Sequence, residues 1–196
     1  MANISIDQIK KLKELSGVGL TDAKKALVEA DGDFDKALEA MRKKGLTKAE
    51  KRGDRETREG LIDSYVHDGR IGAIVEVNCE TSFVAKTDEF KDLAHKMAMQ
   101  VASMNPLYVS EADIPEEVKK AKMKELEENF KGPEKMKAQI LEGQAKKAFA
   151  DKVLLNQPYI LDDSKTVEQF IKDCIAKTGE NITIRQFKRI ELGVTE

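Results

Sequence analysis

Ile71-Gly72-Ala73-Ile74-Val75-Glu76-Val77-Asn78-Cys79 runs directly into Glu80-Thr81-Ser82-Phe83-Val84-Ala85-Lys86. In the first nine residues Ile71, Ala73, Val75, Val77 and Cys79 alternate with Gly72, Ile74, Glu76 and Asn78, the period of two that marks a half-buried strand. Thr87-Asp88-Glu89 then reads as a helix start, with an acceptor at the cap and carboxylates in the first turn. Phe83 is therefore expected in a short connector between two rigid elements, where binding residues tend to be displayed. The plain alternative is that its ring folds back onto the local core.

Upstream, Gly60-Leu61-Ile62-Asp63-Ser64-Tyr65-Val66-His67 leads into Asp68-Gly69. Asp-Gly between apolar runs predicts a two-residue hairpin joining strands 60–67 and 70–79. Downstream, Phe90, Leu93, Ala94, Met97, Ala98, Val101 and Ala102 form the apolar face of a helix that packs on the sheet and ends at Asn105-Pro106. Glu and Lys dominate from about 115 to 150, and Lys131-Gly132-Pro133 breaks that stretch. It reads as a protruding hairpin of two antiparallel helices, with Pro133 at a first helical position. Residues 153–160 are an apolar connector, and Ser164 is the expected cap of a last helix carrying Val167, Phe170, Ile171, Cys174 and Ile175. Residues 181–192 read as a third strand whose apolar phase slips between Ile184 and Phe187, as at a bulge. The fold class is α+β, a small antiparallel sheet packed against helices.

Residues 1–46 read as a separate domain of three short helices. Ser5 and Gln8 have capping-box spacing ahead of Ile6, Ile9 and Leu12; Gly17 and Gly19 break that helix. Ala23, Ala26, Leu27 and Ala30 share the face of a second helix, and Asp33 caps a third that bears Phe34, Ala37, Leu38 and Met41 and stops at Gly45. None is long enough to stand alone, so a compact partner-docking bundle is expected. Thr47 to Arg58 is almost continuously charged and reads as a linker to the core domain, 59–196.

The 196 residues suffice for one core of ordinary size and a satellite. With a net charge of -2, binding through phosphate neutralisation is disfavoured, so no direct nucleic-acid partner is expected. No apolar run approaches the ~20 residues that span a bilayer, and Met1 to Ile6 lacks the pattern of a signal peptide. Cys79 and Cys174 form no Cys-x-x-Cys unit and read as reduced thiols of a soluble, cytoplasmic protein. His67 and His95 have no metal-ligand or nucleophile–base partner at recognisable spacing, and Gly17-Val18-Gly19 lacks a Walker ending. Neither metal nor nucleotide is expected as a cofactor. Thiol catalysis at Cys79 stays open only if that side chain reacts readily in the native state.

The segment Asn78-Cys79-Glu80-Thr81-Ser82-Phe83-Val84-Ala85 resembles the signature of the bacterial translation elongation factor Ts family, whose usual form is Asn-Cys-Glu/Gln-Thr-Asp-Phe-Val-Ala. Ser16-Gly17-Val18-Gly19-Leu20-Thr21-Asp22-Ala23-Lys24-Lys25-Ala26-Leu27 is similar to a second family motif, in the correct order. The resemblance implies a ubiquitin-associated-like N-terminal bundle and the short family form with one sheet unit. It implies a non-enzymatic guanine-nucleotide exchange factor for the GTPase elongation factor Tu, acting in protein synthesis. Thr81, Ser82, Phe83 and Val84 then match the segment that dislocates the partner's Mg²⁺, with Phe83 as the wedge. Leu12, Leu20 and Thr21 match residues of the bundle that hold a helix of the GTPase. Ser82 stands where the family carries an acid, and Thr21 replaces a larger apolar group. The unpaired sheet edge and outward phase of the last strand suit a homodimer. A rival of another class is a general adaptor, its bundle binding peptides and its sheet dimerising.

Overall fold

Three helices come first: α1 (Ile6–Ser16), α2 (Leu20–Glu29) and α3 (Phe34–Glu50). The computed structural model describes residues 4–16, 19–130, 133 and 136–194. Met1 to Asn3, Gly17, Val18, Lys131 and Gly132, on which parts of the sequence reading rest, lie outside them. Ser5 and Gln8 cap α1 reciprocally, at 2.9 and 3.1 Å, and Asp33 accepts the Lys36 N–H at 3.1 Å to cap α3. Leu12, Ala23, Ala26, Leu27, Ala37 and Met41 form the shared core, with Ile9, Phe34 and Leu38 partly buried against it. Ile6 does not join them and is exposed.

Gly45 does not stop the third helix, which continues to Glu50 and so takes in the start of the charged stretch expected to be a linker. A Cβ at this buried glycine would lie 3.2 Å from the Ala176 Cβ, so the missing side chain serves close helix packing.

β1 (Glu59–His67) and β2 (Ile71–Cys79) follow. Asp68 and Gly69 between them have φ of 49° and 65°, the pair of left-handed residues that the expected hairpin needs. After β2 come α4 (Ser82–Ala85), α5 (Asp88–Met104), α6 (Glu116–Glu128) and α7 (Lys137–Ala150). Two short antiparallel strands, β3 (Pro158–Tyr159) and β4 (Asp162–Thr166), precede α8 (Val167–Thr178) and β5 (Ile182–Glu191). The main sheet has the order β1-β2-β5.

The sheet's inward phase is Ala73, Val75, Val77 and Cys79, all buried, and the apolar face of α5 is buried along its length. α5 lies on the sheet: His95 approaches Asp63 at 3.4 Å, and the Arg189 Nε–H donates to the Ala102 carbonyl at 3.0 Å. In β5 the slip of phase is visible, since consecutive Arg185 and Gln186 are both exposed and both reach Glu76, at 3.7 and 2.8 Å. Strict alternation would put them on opposite faces.

Ser164 is not a helix cap. It sits in β4 with its hydroxyl on Asp162, and α8 begins three residues later, its Val167 N–H held by the Gln157 carbonyl at 3.0 Å. Gln157 and Gln100 form a fully buried amide pair. Gln157 donates to the carbonyls of Met104 and Asp151, and Gln100 to Gln157 and the Pro158 carbonyl.

By contacts the chain divides into two compact units. One combines Met1–Leu61, Val77–Asp92 and Gln169–Thr183; the other combines Ile62–Glu76, Leu93–Glu168 and Ile184–Glu196.

Candidate functional site

β2 ends at Cys79, and a single helical turn begins three residues later. The irregular connector expected around Phe83 is thus α4, a four-residue helix with Thr81 as its N-cap in extended conformation. Ala85 is buried and anchors the far side of the turn, while Phe83 is 85% exposed. The ring does not fold back. An apolar group of this size standing in water has no stabilising role in its own fold, which makes it a candidate for burial elsewhere. Ser82 and Val84 flank it, each half-buried.

The turn is fastened by groups distant in sequence, all in the first unit. The Thr81 N–H donates to one Glu180 oxygen at 3.0 Å, and the Thr81 hydroxyl donates to the other at 2.6 Å. Glu80 accepts the Asn181 N–H at 2.6 Å and lies 3.4 Å from Arg55. The Asn181 amide donates to the carbonyls of Gly53 and Arg55, at 3.2 and 2.8 Å. Thr57 and Thr183 share a hydrogen bond of 2.9 Å between hydroxyls. Three stretches, near residues 53–57, 79–81 and 180–183, are tied together at the residues that lead into the turn. On the C-terminal side the Thr87 hydroxyl donates to the Val84 carbonyl at 2.8 Å and accepts the Phe90 N–H at 3.2 Å, so one residue closes the turn and caps α5.

Thr81 is exposed, yet its N–H and hydroxyl are both engaged by Glu180. Nothing local marks Glu180 or Asn181 in the sequence; the one hint is Gly179 before them, at a φ of 79° where α8 ends.

Cys79 offers no nucleophile. It is fully buried with its Sγ–H on the Thr81 carbonyl at 3.2 Å, and burial, with the nearby Glu180 charge, pushes the thiol up to about 11. Among the described residues no group of three or more His, Cys, Asp or Glu is arranged to hold a metal ion, and no helix is long and apolar enough to cross a membrane.

The N-terminal residues singled out by resemblance divide. Leu12 is 0% exposed in the core of the three helices, so packing accounts for it and a direct contact with a partner does not. Leu20, at the start of α2, is half exposed, and Thr21 is exposed. Leu15 and Val28 are further exposed apolar residues that helical periodicity did not single out, since neither falls on the buried stripe.

Comparison with known proteins agrees over nearly the whole chain. A sequence profile described as Elongation factor TS matches residues 21–194. Elongation factor Ts of Thermotoga maritima is 51% identical over 192 residues, covering 97% of this chain and 96% of the relative. That of Moorella thermoacetica is 48% identical over 195 residues, 97% of this chain and 96% of its own length. That of Rippkaea orientalis is 49% identical over 199 residues, 98% of this chain and 80% of its own length. With the profile spanning most of the chain and relatives at about half identity, the chain belongs to the elongation factor Ts family of translation elongation factors.

Proposed function

We infer that this protein is a guanine-nucleotide exchange factor for elongation factor Tu. It binds the GDP-loaded GTPase, inserts Phe83, disturbs the Mg²⁺ site and promotes GDP release so that GTP can bind. The observation that carries this reading is the 85% exposure of Phe83 on a turn pinned from both sides. A pre-set apolar group loses little freedom when it enters a pocket. The protein supplies shape and contact area, and no bond is made or broken by its own side chains.

Linkage limits how the effort is shared. A factor that weakens GDP binding must itself be weakened by GDP to the same degree. A shift of ~10⁴-fold takes about 5.5 kcal/mol of differential affinity, whereas burying one phenylalanine contributes roughly 1.5–3 kcal/mol. Val84, Ser82 and the N-terminal helices must add the rest, with residues 1–46 serving as a docking domain through Leu20 and Thr21. Mg²⁺ demands near-octahedral ligation, so moving its ligands by a fraction of an ångström is enough to loosen the diphosphate. Ser82 offers a neutral hydroxyl where the family's acid offers a charge, which leaves more of the burden on Phe83.

A pull-down with elongation factor Tu tests the reading. The nucleotide-free GTPase should bind, and added GDP should release it. Binding that is indifferent to GDP favours an adaptor instead.

The outward phase of the sheet supports a second, compatible reading, a homodimer in the cytoplasm. Ile62, Val66, Ile74 and Ile190 all stand exposed there. Sedimentation of the protein and of Ile74→Lys would decide: a monomer at both low and high concentration excludes it.

A further inference from the structure

Phe83 has no packing of its own to aim it. Its ring is exposed, and the four-residue helix beneath it is too short to persist without outside restraint. Among the restraints on its leading end, one carboxylate holds the N–H and the hydroxyl of the capping residue. Glu180 takes the Thr81 N–H on one oxygen and the Thr81 hydroxyl on the other, at 3.0 and 2.6 Å. Bonds to a charged acceptor are the stronger kind, and this pair fixes both the peptide plane and the side-chain torsion of the capping residue. Glu180 is itself braced. Its N–H lies 3.4 Å from the Thr178 hydroxyl, and the next residue, Asn181, is held to Gly53, Arg55 and Glu80.

We propose that Glu180 is a positioning residue for nucleotide exchange, setting through Thr81 the direction in which Phe83 leaves the surface. It touches neither nucleotide nor Mg²⁺. The proposal rests on the reading of Phe83 as the inserted group. Glutamine at this position preserves size but is neutral: its oxygen can still take the Thr81 N–H, while its NH₂ can only donate to the Thr81 hydroxyl, which must turn round, so two charge-assisted bonds are replaced by two weaker ones. Valine at position 81 removes the hydroxyl from an exposed residue and leaves the N–H in place.

The test is stopped-flow release of fluorescent GDP from elongation factor Tu, with full-length factor titrated to saturation and thermal melting measured alongside. Glu180→Gln and Thr81→Val should each lower the maximal rate about tenfold. Thr81→Ser should recover most of what Thr81→Val loses, and the Thr81→Val/Glu180→Gln double variant should be no slower than its slower parent, because both act through one contact. In a Phe83→Ala background Glu180→Gln should cost nothing further, since no ring remains to be aimed. A tenfold loss that persists in that background overturns the proposal, as does a normal rate for Glu180→Gln while Phe83→Ala is slow. A normal rate for Phe83→Ala itself overturns the reading beneath, and the positioning role with it.

Discussion

Phe83→Ala and Leu12→Ala should have opposite consequences, although both delete an apolar side chain from the same compact unit. Phe83 is 85% exposed, so its removal should leave stability within about 0.5 kcal/mol of wild type, as for other surface changes. Leu12 is 0% exposed, and emptying its site should cost about 2–5 kcal/mol through lost burial and the cavity left behind. In exchange the ranking reverses. If the phenylalanine ring is buried in the GTPase at the moment of release, losing roughly 1.5–3 kcal/mol there slows release by a factor of about 10 to 150. Leu12→Ala, assayed well below its lowered melting temperature, should release GDP at a rate within about threefold of wild type. Chemical denaturation gives one axis and stopped-flow GDP release the other. A Phe83→Ala protein destabilised by more than about 1 kcal/mol would show that the ring packs on its own fold, and the argument from exposure would fail.

Cys79 should resist iodoacetamide at pH 8 in the native state and react once unfolded, because a thiol pushed up to about 11 is almost wholly protonated there. Its raised value also means that its contribution to stability is complete below the unfolded thiol range near 9 and is lost as pH rises towards 11; Cys79→Ala should flatten that part of a stability–pH curve. Gly60→Ala should destabilise by about 3 kcal/mol or more in chemical denaturation, since the added Cβ would lie 2.2 Å from the Val77 carbonyl oxygen at a φ of 154°. Gly143→Ala, in α7 with open space around it, should instead raise stability by about 0.5–1 kcal/mol.

Local rules carried the sequence reading a long way. The Asp68-Gly69 hairpin, the Thr87 cap, the buried face of α5 and the phase slip in β5 all follow from spacing within a few residues. Two of the failures involve a partner far along the chain. Gly45 looks like a stop signal until Ala176 is seen against it, and Ser164 looks like a cap until Pro158 and Tyr159 are found pairing with its strand. Gln100 lies within the apolar face of α5, and only Gln157, 57 residues on, explains how an amide is tolerated there. Position alone left open whether the Phe83 ring folds back or projects, and it was the resemblance of Asn78 to Ala85 to a family signature that singled it out. Its fastening by Glu180 was not legible, since no periodicity relates the two.

Thr81 and Glu180 are 99 residues apart, and that separation imposes an order on biogenesis. The chain is made from its N-terminus, so Phe83 leaves the ribosome long before the carboxylate that steadies its turn has been polymerised. A nascent or prematurely terminated chain ending before Glu180 can fold its first three helices, whose contacts are local, yet carries a slack and unaimed turn. Competence in exchange would thus arrive only with the last strand, and an incomplete copy that docks through its first helices would not drive GDP release.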